Sequence, residues 1–168
     1  MKNSGKRDIL IFPSFKNINL IEDIRRKYDP LYNLVSPHIT LAFPFSDEMT
    51  NEYLISKLTN LLKILKPFEA SFKGISISKD KYIYLNQIEG KEIVTKLHDL
   101  IYQNILPIHL HSEIEYIPHI TLGKLNKNHP IFEEEFTYEF NTIIDKISIE
   151  QIGKHAESII IKEIELKE

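Results

Sequence analysis

The pentapeptide Pro-His-Ile-Thr-Leu fills positions 37–41 and returns 81 positions later at 118–122, where Gly123 follows it. In an extended chain alternate side chains share a face. His38 and Thr40 therefore point one way, and Ile39 and Leu41 the other. His119 and Thr121 are opposed in the same manner to Ile120 and Leu122. Each copy presents an imidazole beside a hydroxyl, with an aliphatic anchor behind. An isoleucine-rich chain repeats apolar residues easily, but that does not explain a repeated proline, histidine and threonine. A neutral histidine accepts a proton and a protonated one donates it, both near neutral pH. Threonine hydroxyls can donate to phosphoryl oxygens lying between them. Two such strands facing each other suit in-line displacement at phosphorus, with no metal or other cofactor required. The near identity of the copies leaves the acid and base roles interchangeable.

The elements around the two copies fall into a similar order. Residues 9–12 read as a buried strand ended by Pro13. Helical spacing covers 20–28, 47–65 and roughly 91–102, with Pro30 and Pro67 closing the first two. Residues 68–78 and 82–86 alternate as a hairpin, and 143–152 and 157–166 as a second one turned near Gly153. Residues 108–117 read as a loop or irregular strand, and 132–140 fit no single element. The expected fold is α+β: two pseudo-symmetric lobes, about 1–88 and 89–168 in one bilobal domain. Their mixed, mainly antiparallel sheets flank a central groove, with helices on the outer faces.

Composition narrows the function classes. Hydrophobic residues are 42% of the 168, enough for a sizeable core. The formal charge of −3 gives no electrostatic footprint for duplex DNA. The absence of cysteine removes disulfides, thiolate nucleophiles and Cys-rich zinc sites. No secretory or membrane-spanning run is apparent, so cytoplasmic residence is the expectation.

Other side chains could serve the site. Tyr82 and Tyr84, expected beside the first histidine strand, could stack a base. Phe43 and Phe45 could wall the groove. Lys73, Lys79, Lys81, Lys124, Lys127 and Lys154 lie near strand ends, and Lys124 follows the second motif most closely. His109 and His111, together with His119, raise a zinc alternative. His98, His129 and His155 read as solvent-exposed.

Paired His-x-Thr motifs on strands half a small protein apart resemble the 2H phosphoesterases, which include 2'-5' RNA ligase-like proteins and cyclic phosphodiesterases. The chain is most similar to the small Firmicute-type members. The resemblance implies a two-lobed fold with His38 and His119 flanking a phosphate held by Thr40 and Thr121. It implies opening of a 2',3'-cyclic phosphate, or cleavage of a related 2'-5' phosphodiester, on a small cyclic phosphate, nucleotide or RNA end. By that analogy His119 is the base for water and His38 the acid. The alternative is a non-catalytic nucleotide or RNA-end binding module on the same fold.

Overall fold

A computed structural model describes residues 5–168. The strands are β1 (Arg7–Ile11), β2 (Ile39–Phe45), β3 (Phe68–Ile77), β4 (Tyr82–Gln87), β5 (His119–Lys124), β6 (Phe140–Ile144), β7 (Lys146–Ile152) and β8 (Ser158–Glu165). The helices are α1 (Ile18–Tyr28), α2 (Asn51–Leu62) and α3 (Lys91–Asn104). Residues 108–117 form no strand; a short 3-10 turn, Pro107–His109, opens the loop. The expected α2 was longer at its start. Thr50 caps the helix by accepting from Tyr53 N–H, and Asp47 instead binds Arg7 at 2.6 Å.

Two four-stranded antiparallel sheets form, in the orders β2-β1-β7-β8 and β5-β4-β3-β6. Each histidine strand is therefore the edge strand of its own sheet. A division near residue 88 does not separate these sheets, because it falls between β4 and β5, which pair directly. The closing hairpin β7–β8 pairs back onto β1 through Leu10 with Ser148 and Asp8 with Glu150. Sequence ends thus join in one sheet, and the middle of the chain builds the other.

The helices bind the sheets crosswise. Helix α1 packs against β5, and α3 against β2. One apolar core results, joining Ile39 and Leu41 to Ile120 and Leu122 through the helices. All four aliphatic anchors are fully buried. Burial of such a side chain is worth about 1.5–3 kcal/mol, so the anchors fix which face the histidines take. No helix among the described residues is long and apolar enough to cross a membrane.

Gly123 is what lets α1 sit on β5. Its φ is +142°, and a Cβ there would lie 2.4 Å from the backbone carbon and oxygen of Tyr28. The first motif has Ala42 at the matching position. Gly123→Ala is expected to cost on the order of 1–3 kcal/mol through this backbone clash. A thermal melt unchanged from wild type would contradict it.

Candidate active site

The two edge strands β2 and β5 lie against each other, which brings the motifs together. Both imidazoles are anchored in the same way. His38 Nδ1 lies 2.8 Å from the Ser36 carbonyl, and His119 Nδ1 lies 2.6 Å from the Ile117 carbonyl. A carbonyl oxygen only accepts, so each Nδ1 carries the proton and donates it. Each Nε2 is left as the group that gains or loses a proton. Both accepting residues precede the motif proline, a position biased to extended backbone. The proline is thus part of the device that sets the tautomer.

A cavity of about 380 Å³ opens beside these strands. Its walls include Thr40, Tyr82, Tyr84, Tyr116, His119 and Thr121. Both threonines and one histidine of the repeat therefore meet in a single concavity. His38 immediately precedes β2, two residues from Thr40, and does not line this cavity, but its charge is felt at His119. His119 is held down to about 4, by burial first and also by proximity to His38, against a raising contribution from the Ile117 carbonyl. Burial also lowers His38. Opposing that, the Ser36 carbonyl, Glu150 and Asp29 favour its charged form, while Arg25 disfavours it. Glu150 and Asp29 act on His38 whereas His38 itself acts on His119, so the two rings, alike in sequence, differ in electrostatic setting.

Tyr82 and Tyr84 lie beside the second histidine strand rather than the first. Strand β4 pairs with β5, setting Tyr84 opposite Thr121 and Asn86 opposite His119. The local hairpin β3–β4 was readable, but its partner lies across a long connection. The Tyr84 ring stacks on His119 at 3.6 Å between centroids. Lys124 caps the Tyr82 ring at 4.5 Å. It does not line the cavity, and neither do Lys73, Lys79, Lys81, Lys127 and Lys154. Phe43 walls the cavity, whereas Phe45 is buried against Arg7 and His109.

The additional histidines diverge. His109 Nε2 donates to the Asp47 carboxylate at 3.1 Å, and His111 faces Phe43 and Glu113. Among the described residues no three His, Asp or Glu side chains gather as a metal-ligand set. His98 was expected in solvent and is buried. Its Nδ1 bonds the Leu41 carbonyl at 2.8 Å, and its ring stacks on Tyr116 at 3.7 Å. Tyr116 in turn donates to the Thr40 carbonyl, and Tyr102 accepts from Phe43 N–H. These side chains occupy β2 backbone groups that lie at the sheet edge, where unpaired groups are costly. They brace the strand that carries His38 and Thr40. The helical spacing of Val94, Leu97, His98 and Ile101 was the signal for that burial.

The chain has similar sequences and similar folds among known proteins. The family described as the 2'-5' RNA ligase superfamily matches residues 13–152. A Bacillus licheniformis protein named "Putative phosphoesterase" is 31% identical over 123 residues, covering 71% of this chain and 70% of its own. A Geobacillus relative of the same description is 30% identical over 128 residues, covering 71% and 69%. Among solved structures, E. coli LigT complexed with 3'-AMP superposes with a TM-score of 0.69 at 15% identity, covering 99% of this chain and 100% of that one. LigT has also been seen with NADP+, ATP and phosphate. A Thermus thermophilus protein gives a TM-score of 0.69 at 12% identity, covering 96% and 97%.

Proposed function

The chain belongs to the 2'-5' RNA ligase superfamily, and from that membership we propose that it is a metal-independent phosphoesterase acting on a 2',3'-cyclic phosphate or a related 2'-5' phosphodiester. The observation that carries this reading is the matched pair of imidazoles, each with Nδ1 tied to a carbonyl and Nε2 left to move a proton. Binding phosphate alone would need neither the matched tautomers nor two titratable rings.

His119 is the base. Burial holds its ring neutral well below the usual histidine range, so its Nε2 is free to take a proton from water. The water oxygen bonds to phosphorus as the bond to the 3' oxygen breaks. His38, whose charged form Glu150 and Asp29 favour, gives its Nε2 proton to that oxygen. The product keeps a 2'-phosphate, and proton exchange with solvent resets both rings. The hydroxyls of Thr40 and Thr121 donate to the non-bridging oxygens, where charge builds in the transition state. Tyr84 holds the His119 ring by stacking, and Tyr82, exposed at the cavity wall, stands within reach of a base. Nucleotide ligands in LigT support a nucleotide-sized occupant.

The pH dependence has a definite sign. Activity needs neutral His119 and protonated His38. The acid limb of kcat/KM should therefore report loss of the His119 proton and lie below the ordinary 6.5, because burial lowers that ring. The alkaline limb should follow His38, below the ordinary 6.5 because burial lowers it. An optimum on the acid side of 6.5 is expected with nucleoside 2',3'-cyclic phosphates, and turnover should be the same with and without chelator. Loss of turnover on chelation would defeat the reading. Nucleotide binding without any turnover would favour the binding-module alternative.

A further inference from the structure

The segment that leads into His119 rests on one inward-facing side chain. From Ser112 to Ile117 every residue is exposed except Tyr116, which packs against the core. None of them belongs to a strand, so no ladder holds them. Tyr116 donates its hydroxyl to the Thr40 carbonyl at 2.8 Å. Downstream the chain is held again at Pro118, whose carbonyl accepts from Gln87 N–H at 3.3 Å. Ile117 lies between these two fixed points. Its own carbonyl accepts from His119 Nδ1 at 2.6 Å and so orients that ring.

The other end of this tie is firmly held. Thr40 pairs with Leu10 in the sheet, and its neighbours Ile39 and Leu41 are fully buried. The pairing skips Leu41: β1 steps from Leu10 to Ile9 while β2 steps from Thr40 to Ala42. A residue left out of a ladder in this way has unpaired backbone groups. His98 takes the Leu41 carbonyl, and the same ring lies flat on Tyr116, 3.7 Å away with 5° between the planes. One imidazole thus fills the bulge in the first histidine strand and backs the tyrosine that reaches it. Because β2 and β5 belong to different sheets, no shared ladder sets the distance between the two motifs.

We propose that Tyr116 is a positioning residue for the reaction: its hydroxyl ties the chain beside His119 to the backbone of Thr40, and so sets where the base sits relative to the first motif. The proposal rests on the phosphoesterase reading for the role of His119. Tyr116 acts through Ile117 on the His119 ring, and His98 acts through Tyr116.

The test is Tyr116→Phe, which keeps the ring and its stack on His98 and removes only the hydroxyl. With nucleoside 2',3'-cyclic phosphates kcat should fall about tenfold and KM stay within about twofold, because displacing a reacting group costs rate rather than binding. On a His119→Ala background the same change should have little effect, since no ring is left to position. In substrate-free protein with isotope-labelled imidazoles, NMR should show the His119 Nδ1 proton exchanging with solvent about fivefold faster, the factor one hydrogen bond supplies, and the His38 Nδ1 proton at the wild-type rate. If Tyr116→Phe folds poorly, His98→Asn keeps a donor for the Leu41 carbonyl and removes the ring behind Tyr116. It should lower kcat about threefold with KM held. A kcat within about twofold of wild type in Tyr116→Phe overturns the proposal. So does a loss that falls in KM, a loss undiminished without His119, or equal acceleration of both protons. The exchange rates are read whether or not substrate turns over. Faster exchange at His119 alone, with no turnover by wild type, sinks the phosphoesterase reading; turnover with unchanged kcat and exchange in Tyr116→Phe sinks the positioning role.

Discussion

His119→Ala and His38→Ala should each lower kcat for a 2',3'-cyclic phosphate by about 10²- to 10⁴-fold, the usual contribution of a positioned acid or base. The double variant should be little worse than either single one. Base and acid act in one transition state, so removing one leaves the other without a task. Folding should survive, because the buried anchors of each strand are Ile39, Leu41, Ile120 and Leu122, not the histidines. The pH profile separates the roles. His119→Ala should remove the acid limb of the residual rate, and His38→Ala the alkaline limb. Full turnover in the double variant would eliminate the proposed site. Additive losses, with both limbs retained in each single variant, would mean that the rings do not form a pair.

The motif was readable because strand alternation is a local rule. Two residues of separation suffice to place His38 with Thr40 and against Ile39. The Tyr82 neighbourhood was not readable in the same way. Its ring belongs to a hairpin whose partner, β5, follows a helix and a loop, and no short pattern in β4 names that partner. The sheet that joins β1 to β7 has the same cause: Leu10 and Ser148 pair across most of the chain. His98 failed for a different reason. It lies on the apolar stripe of α3, but polarity suggested solvent. The Leu41 carbonyl and the Tyr116 ring, both distant in sequence, supply the partners that make its burial tolerable. The difference between His38 and His119 was likewise invisible, since it comes from Glu150 and Asp29, which no motif contains.

Asp8→Asn should raise stability at alkaline pH and flatten its pH dependence. Asp8 on β1 lies in register with Glu150 on β7, and both are buried. Two adjacent carboxyls away from water do not both ionise. Burial first, and Glu150 second, push Asp8 up to about 9 from 3.8. Its Oδ1 has no hydrogen-bond partner among the described residues, which further disfavours a charge there. Glu150 accepts from Ser158 Oγ and is the better placed of the two to carry the charge. The folded chain therefore keeps a proton that the unfolded chain releases. This stabilisation is complete below 3.8 and is lost as pH rises toward about 9. Within that window each pH unit costs at most about 1.4 kcal/mol. The histidines act in the opposite direction, because their lowered values destabilise the fold only as pH falls below 6.5. Between 6.5 and about 9 the Asp8 contribution is thus free of theirs. Asparagine keeps the shape and can donate to Glu150 without ionising. Urea unfolding across that interval should show wild-type stability falling and the variant's nearly level, with a gap of about 2 kcal/mol near pH 8. Parallel slopes would show that Asp8 does not hold the proton. The charge retained on Glu150 is also the one that favours protonated His38, so the variant should keep its alkaline activity limb while gaining stability.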